Sequence, residues 1–97
     1  MTNTSDLNVQ HDLQRGRFVA TVDGHDCVLE FKLSADRVAM TAVRVPDAVG
    51  GRGIAGQLTR HALDWARSEA LKVDPVCPYV KTWIKRHPDY QDLLADS

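Results

Sequence analysis

No apolar run in the chain approaches the ~20 residues that a membrane-spanning helix needs, and Met1-Thr2-Asn3-Thr4-Ser5-Asp6 has no basic region leading into an apolar one. No membrane partner and no export are therefore expected, and the cytoplasm is the expected location. An excess of one charge is missing as well. Twelve Lys and Arg stand against 13 Asp and Glu, a formal net charge of -1, so no global field draws the protein to nucleic acid, and none is expected as a partner. Cysteine is scarce: Cys27 and Cys77 are able to pair in principle, but nothing else marks a disulfide framework and both are expected as free thiols. His11, His25, His61 and His87 lack the close spacings typical of zinc ligands, so no metal is expected.

What is present is 97 residues, 43% hydrophobic and 26% charged, which suit one globular domain with one core. Residues 1–7 are polar and aperiodic and read as a disordered lead-in to a single domain over 8–97. Val9 to His11 is placed as a short edge strand. Phe18, Ala20 and Val22 alternate with Arg17, Val19 and Thr21, as in a strand with one face more buried than the other. Asp23-Gly24 supplies the positive-φ turn of a tight hairpin, and the return strand sets Cys27, Leu29, Phe31 and Leu33 on one face, with Glu30 and Lys32 on the other. Arg37 to Val45 reads as a third long strand in which Val38 and Met40 share one parity and Val43 and Val45 the other. A β-bulge between them produces such a switch.

Pro46 has no N–H and ends that ladder on its side. Ile54, Leu58, Ala62, Trp65 and Ala66 then mark one apolar face of a helix running to about Ala70, with His61 bordering the stripe in a structural role. Leu71 to Cys77 reads as a short strand reached after one helix, so it is expected parallel to the third strand. Pro78 fits the first turn of a further helix through Tyr79, Val80, Trp83 and Ile84 that Pro88 stops, and Tyr90, Leu93 and Leu94 cap the core. The expected fold class is α+β, a mixed sheet of an antiparallel meander plus a parallel strand, with helices packed against it.

The chain turns on the stretch between strand and helix, Val45 to Gly56. Gly50, Gly51, Gly53 and Gly56 place four glycines within seven positions, removing Cβ atoms where a ligand needs the backbone close and permitting φ > 0. The first N–H groups of the helix beginning near Ile54 have no intrahelical partner, and the dipole there favours an anion. Arg52 adds a charge able to donate to phosphate. Tight packing alone also explains a glycine-rich turn. Gly51-Arg52-Gly53-Ile54-Ala55-Gly56 formally matches a dinucleotide fingerprint, with Asp74 roughly where a ribose-binding acid would stand, yet it follows an antiparallel meander and leaves too little chain for a mononucleotide half. No Gly-Lys-Ser/Thr follows, which excludes a P-loop.

Val45-Pro46, the loop Gly50-Gly51-Arg52-Gly53-Ile54-Ala55, the helix with Leu58 and the later strand carrying Cys77 resemble the GNAT superfamily of acyl-CoA-dependent N-acetyltransferases. The order of motifs through Val76-Cys77-Pro78-Tyr79-Val80 and Arg86-His87-Pro88-Asp89-Tyr90 is similar to its short single-domain branch, and the likeness runs from Phe18 to Leu94. The resemblance implies a GNAT-like sheet whose parallel strand splays from the third long strand. It implies acetyl-CoA (coenzyme A) as acyl donor, with its pyrophosphate held by Gly50, Gly51, Arg52, Gly53, Ile54, Ala55 and Gly56. Main-chain groups of Val43 and Val45 would line the slot for the pantetheine arm, although both residues also suit a core. In the family pattern Arg/Gln-x-x-Gly-x-Gly/Ala, Gly53 and Ala55 take the small positions and Gly50 stands where Arg or Gln is usual, which removes a side chain and keeps the amides.

Acetyl transfer needs a held thioester, a donor to its carbonyl, a base for the ammonium and an acid for the leaving thiolate. Members of the short branch often carry a polar, frequently acidic, residue just before Val-Pro, and this chain has Val43-Arg44 there. Asp47, Asp74, Glu30, His87 or a water chain remain as candidate bases. Cys77, before Pro78, is expected at or beside a helix N-cap that stabilises a thiolate, and is the candidate catalytic residue; a small buried hydrophobe is its other reading. Tyr79 and Tyr90 are further proton donors or packing residues. Lys85 and Arg86 fit either a contact to the coenzyme's ribose phosphate or a solvated face. Three functions stay open: an N-acetyltransferase acting on an unidentified amine, either a small molecule or a protein lysine; a non-catalytic acyl-CoA binding or sensing module; and a protein-interaction domain retaining the fold.

Overall fold

Residues with a period of two build the first half of the chain. In the computed structural model, which describes residues 7–95, β1 (Val9–Asp12), β2 (Arg17–Val22), β3 (His25–Ser34) and β4 (Arg37–Arg44) form an antiparallel meander, and β5 (Lys72–Pro75) joins β4 in parallel. Among the described residues the sheet has five strands in the order β1-β2-β3-β4-β5. The expected lead-in, 1–7, lies outside the described residues except for Leu7, which is partly buried against the core.

The hairpin of β2 and β3 turns on Asp23 (φ 50) and Gly24 (φ 78), and its alternation is as read: Phe18, Ala20, Cys27, Leu29 and Phe31 are buried on one face. Leu33 departs from the expectation. It is 51% exposed, because it sits past the last buried residue of β3, beside the turn into β4.

The parity switch in β4 is a bulge. Phe31 faces Met40 but Glu30 faces Ala42, so Thr41 is the extra residue and its Oγ1 donates to the Glu30 carbonyl across 3.3 Å. Val43 consequently faces Leu29, on the same side as Met40.

Helix α1 (Ile54–Ser68) buries Ile54, Leu58, Ala62, Leu63 and Ala66 against the sheet. It stops before the expected Ala70, because Ala70 turns left-handed (φ 56) and Leu71 N–H donates to Ala66 O at 2.9 Å, the bond that closes a helix C-terminus. β5 is shorter than Leu71 to Cys77, since Cys77 serves as the N-cap of α2 (Pro78–Lys85). A 3₁₀ segment, Pro88–Leu93, follows and is clasped to α1 by Arg67, which reaches Asp92 Oδ2 (2.9 Å), Asp92 Oδ1 (3.1 Å) and Asp89 O (2.8 Å). Leu94 then bridges to Val73, and Ala95 N–H donates to Val73 O (2.9 Å), covering the outer edge of β5.

All buried residues of the sheet share one face, and the buried residues of both helices pack there with them. The alternate residues Val19, Val28, Glu30, Ala39 and Ala42 are only half-buried. That second face carries no helix among the described residues. No helix among them is long and apolar enough to cross a membrane.

Candidate functional site

The site begins where β4 and β5 part. Their pairing runs from Arg37 opposite Lys72 to Met40 opposite Pro75, and the last link is Cys77 N–H to Met40 O at 2.9 Å. Beyond Met40 no residue of β4 pairs with β5. Two features cause the fork: the bulge at Thr41 bends β4, and α2 starts immediately after Cys77 and takes the chain away. Val43 and Val45 thus lie beyond the last residue paired with β5, and both side chains are half-buried against the core, so the main chain is what they present past the split.

At one end of this stretch stands the glycine loop. Gly51 (φ 77) and Gly53 (φ 75) are left-handed, and a Cβ on either would meet nothing within 4 Å. Conformation, not crowding, calls for glycine there. Gly53 is the N-cap of α1 and supplies no capping side chain, so the first-turn amides keep their capacity to donate to an anion. Gly50 is extended (φ -69, ψ 163). Ile54 is buried and Ala55 half-buried, which limits both to backbone contacts with any ligand in the loop.

Two residues of the loop have partners that the sequence did not announce. Arg52 Nη1 lies 2.7 Å from Asp23 Oδ2 in the β2–β3 turn, so its guanidinium is shared with the hairpin. Gly56 faces α2: a Cβ there would come to 3.4 Å from Tyr79 Oη and 3.4 Å from Trp83 Nε1, ordinary contact that leaves no room for anything larger without movement of those side chains.

Beside that contact a cavity of 390 Å³ opens along α1, lined in part by Gly53, Gly56, Gln57, Arg60, Trp83 and His87. Its polar content is uneven. Gln57 Oε1 is buried without a hydrogen-bond partner among the described residues, and such an acceptor is costly unless a donor fills it. His87 stacks on Trp83, ring centroids 3.6 Å apart and 10° between planes, and its Nδ1 is 2.6 Å from Trp83 O. A carbonyl only accepts, so Nδ1 carries the proton. His87 follows the C-cap of α2, at the end opposite Cys77, with the eight residues of the helix, about 12 Å at 1.5 Å per residue, between them, which removes it from the fork as a base.

Cys77 sits at the N-cap of α2, as expected, at the crotch of the fork. Its side chain is 6% exposed and belongs to the hydrophobic core. Tyr79, two residues further, is 43% exposed, with its hydroxyl tucked toward Gly56; partial burial raises its pKa, against the lowering effect of Arg86. Tyr90 is pinned elsewhere, donating to Asp64 Oδ1 at 2.8 Å. Lys85 lines a second cavity with Pro75 and Ile84.

A histidine pair completes the polar inventory. His11 Nε2 on β1 and His61 Nε2 on α1 are 2.5 Å apart, with Phe18 edge-on to both rings. His61 titrates below the ordinary histidine range, first because it is desolvated and second because His11 is beside it. Only a pair forming across the sheet and helix places these residues together, and no local motif marks it.

The comparisons with known proteins bear on this geometry. The family model described as GCN5-related N-acetyl-transferase matches residues 17–93. Protein NATD1 of Mus musculus is 38% identical over 85 residues, covering 84% of this chain and 77% of that protein. Protein NATD1 of Xenopus tropicalis is 35% identical over 91 residues, covering 91% of this chain and 84% of that protein. Among solved structures, the NMR solution structure of a GCN5-like protein from Staphylococcus aureus superposes with a TM-score of 0.74 at 20% identity, covering 96% of this chain and 92% of that one. At that identity the likeness speaks for the fold alone.

Proposed function

The chain belongs to the GCN5-related N-acetyltransferase family, and we propose that it transfers an acetyl group from acetyl-CoA to an amine. The observation that carries this reading is the fork beyond Met40, which leaves strand backbone unpaired beside an uncapped helix N-terminus. One end of such a groove suits a pyrophosphate and the other an extended amide-bearing arm.

In this reading the amides of Gly50 to Gly56 hold the pyrophosphate, with Arg52 adding a charge that Asp23 shares. Main-chain groups of Val43 and Val45 hold the pantetheine arm, which supplies the activated acyl thioester. The nucleotide end lies along α1, where Gln57 Oε1 lacks a donor and Arg60 borders the cavity. In this reading Tyr79, a phenol whose pKa is raised by partial burial, gives a proton to the leaving thiolate, and Cys77 stands two residues before it at the crotch. The cytoplasm is the proposed location, a reducing compartment that suits two unbonded cysteines.

Calorimetric titration with acetyl-CoA tests the reading. Saturable binding that weakens when Gly53 is replaced by Val supports it, and an absence of heat removes it. A second reading, an acyl-CoA binding module without turnover, is favoured by the burial of the Cys77 side chain in the core. Binding with no transfer to any amine would select that one.

A further inference from the structure

We propose that Glu30 is the base that deprotonates the acceptor amine, reached from the helix-free face of the sheet; this rests on the acetyltransferase reading above. The helix side of the fork is closed to an amine, because Met40, Cys77 and Val80 fill it at 0%, 6% and 0% exposure. An acceptor must then approach from the opposite face, where Ala39 and Ala42 present only methyl groups.

The candidate bases separate on that criterion. His87 is stacked on Trp83 at the far end of α2. Asp47 belongs to the 3₁₀ turn after β4, on the loop side where the phosphates bind. Asp74 is on the open face, but it faces Ala39, in a row where β4 and β5 are still paired. Glu30 lies in the row beyond the split, opposite Ala42, with Thr41 Oγ1 bonded to its carbonyl. Its side chain leans toward β4, since Oε1 is 3.6 Å from Arg44 Nη2, and it is 41% exposed. Over a methyl-bearing neighbour, such a carboxylate spans β4, with neighbouring strands about 4.8 Å apart, to an amine at the fork through one water. The bulge thus does two things at once, bending β4 at the split and setting Glu30 opposite Ala42, one strand away from it.

The step balances as follows. The acceptor ammonium gives one proton to the Glu30 carboxylate, which passes it to solvent. The freed nitrogen lone pair forms the C–N bond, the thioester C–S bond breaks, and the second nitrogen proton ends on the coenzyme sulfur. No oxidant or further reactant is needed.

Glu30→Gln keeps shape and removes the base. The test compares wild type and variant with acetyl-CoA and two acceptors, poly-L-lysine, whose amines are protonated at neutral pH, and hydroxylamine, which is uncharged. The expected result is a fall on the order of 100-fold or more with poly-L-lysine, little change with hydroxylamine, and unchanged acetyl-CoA affinity. Equal losses with both amines, or no loss with poly-L-lysine, overturn the role of Glu30 while leaving the transferase reading intact. Acetyl-CoA binding to wild type without turnover of either amine overturns both this role and catalysis, and no binding removes the cofactor as well.

Discussion

Arg52 Nη1 meets Asp23 Oδ2 at 2.7 Å, joining the glycine loop to a hairpin turn 29 residues earlier. Both side chains are about half exposed, at 49% and 64%, so the pair contributes only ~0.2–1 kcal/mol. Arg52→Ala should weaken acetyl-CoA binding by about 1 kcal/mol or less and barely change stability. Asp23→Asn frees the guanidinium for phosphate and should leave affinity equal or raised. Titration calorimetry on both variants checks this, and a loss of several kcal/mol in Arg52→Ala would place that side chain in direct, desolvated contact with the ligand.

Gly53 and Gly56 should fail for different reasons. Gly53→Ala forces a side chain into a left-handed conformation at φ 75, costing about 1–2 kcal/mol of stability in a place with open space around it. Gly56→Val presses on Trp83 and Tyr79 at 3.4 Å, and should shift α2 and its indole. Thermal unfolding together with tryptophan fluorescence separates them, with a spectral change expected for Gly56→Val and not for Gly53→Ala.

Cys77→Ala tests the residue at the crotch. Its buried position means a loss of about 1 kcal/mol or more of stability from the vacated volume. Turnover should fall at least tenfold with acetyl-CoA affinity kept, if the sulfur takes part in transfer. An acetyl mass increment on Cys77 after incubation with acetyl-CoA and no amine identifies a covalent carrier. Full turnover in the variant makes Cys77 a packing residue alone.

The His11–His61 pair gives stability a direction in pH. His61 has its folded pKa below its ordinary value, mainly through burial, so the unfolded chain binds the proton first as pH falls. The contribution of neutral His61 is complete above the ordinary histidine pKa of about 6.5 and is lost as pH drops through its lower folded value. The melting temperature should therefore fall on going from pH 7.5 to 5, and His61→Gln should flatten that slope. An unchanged slope in the variant would assign the acid loss to other groups.

How much of this was legible depended on whether the signal was local. The hairpin came from alternation and Asp23-Gly24, and the bulge from a single parity switch between Met40 and Val43. The one intervening helix implied a parallel β5, whereas the fork was implied by the resemblance to the GNAT superfamily, with which the bulge agrees. Ala70 was misread as helical, because its left-handed turn depends on backbone bonds that alanine does not advertise. Side chains joined across the fold were not legible: Arg52 with Asp23, His11 with His61, Gly56 beneath Trp83. Each needs the sheet and helices assembled before the residues are neighbours. The base was undecidable for the same reason, since Glu30 comes opposite Ala42 only through the bulged register of β3 on β4.

The extra residue in β4 has a genetic meaning. Met40 faces Phe31 and Ala42 faces Glu30, so an in-frame loss of the single Thr41 codon would restore a regular ladder. Every downstream side chain would stay on its present face. The lineage thus stands one three-base deletion from a descendant with the same core and a straighter β4, and one insertion is enough to regain the kink. Retention of that codon keeps the bulge, one of the two features that part β4 from β5.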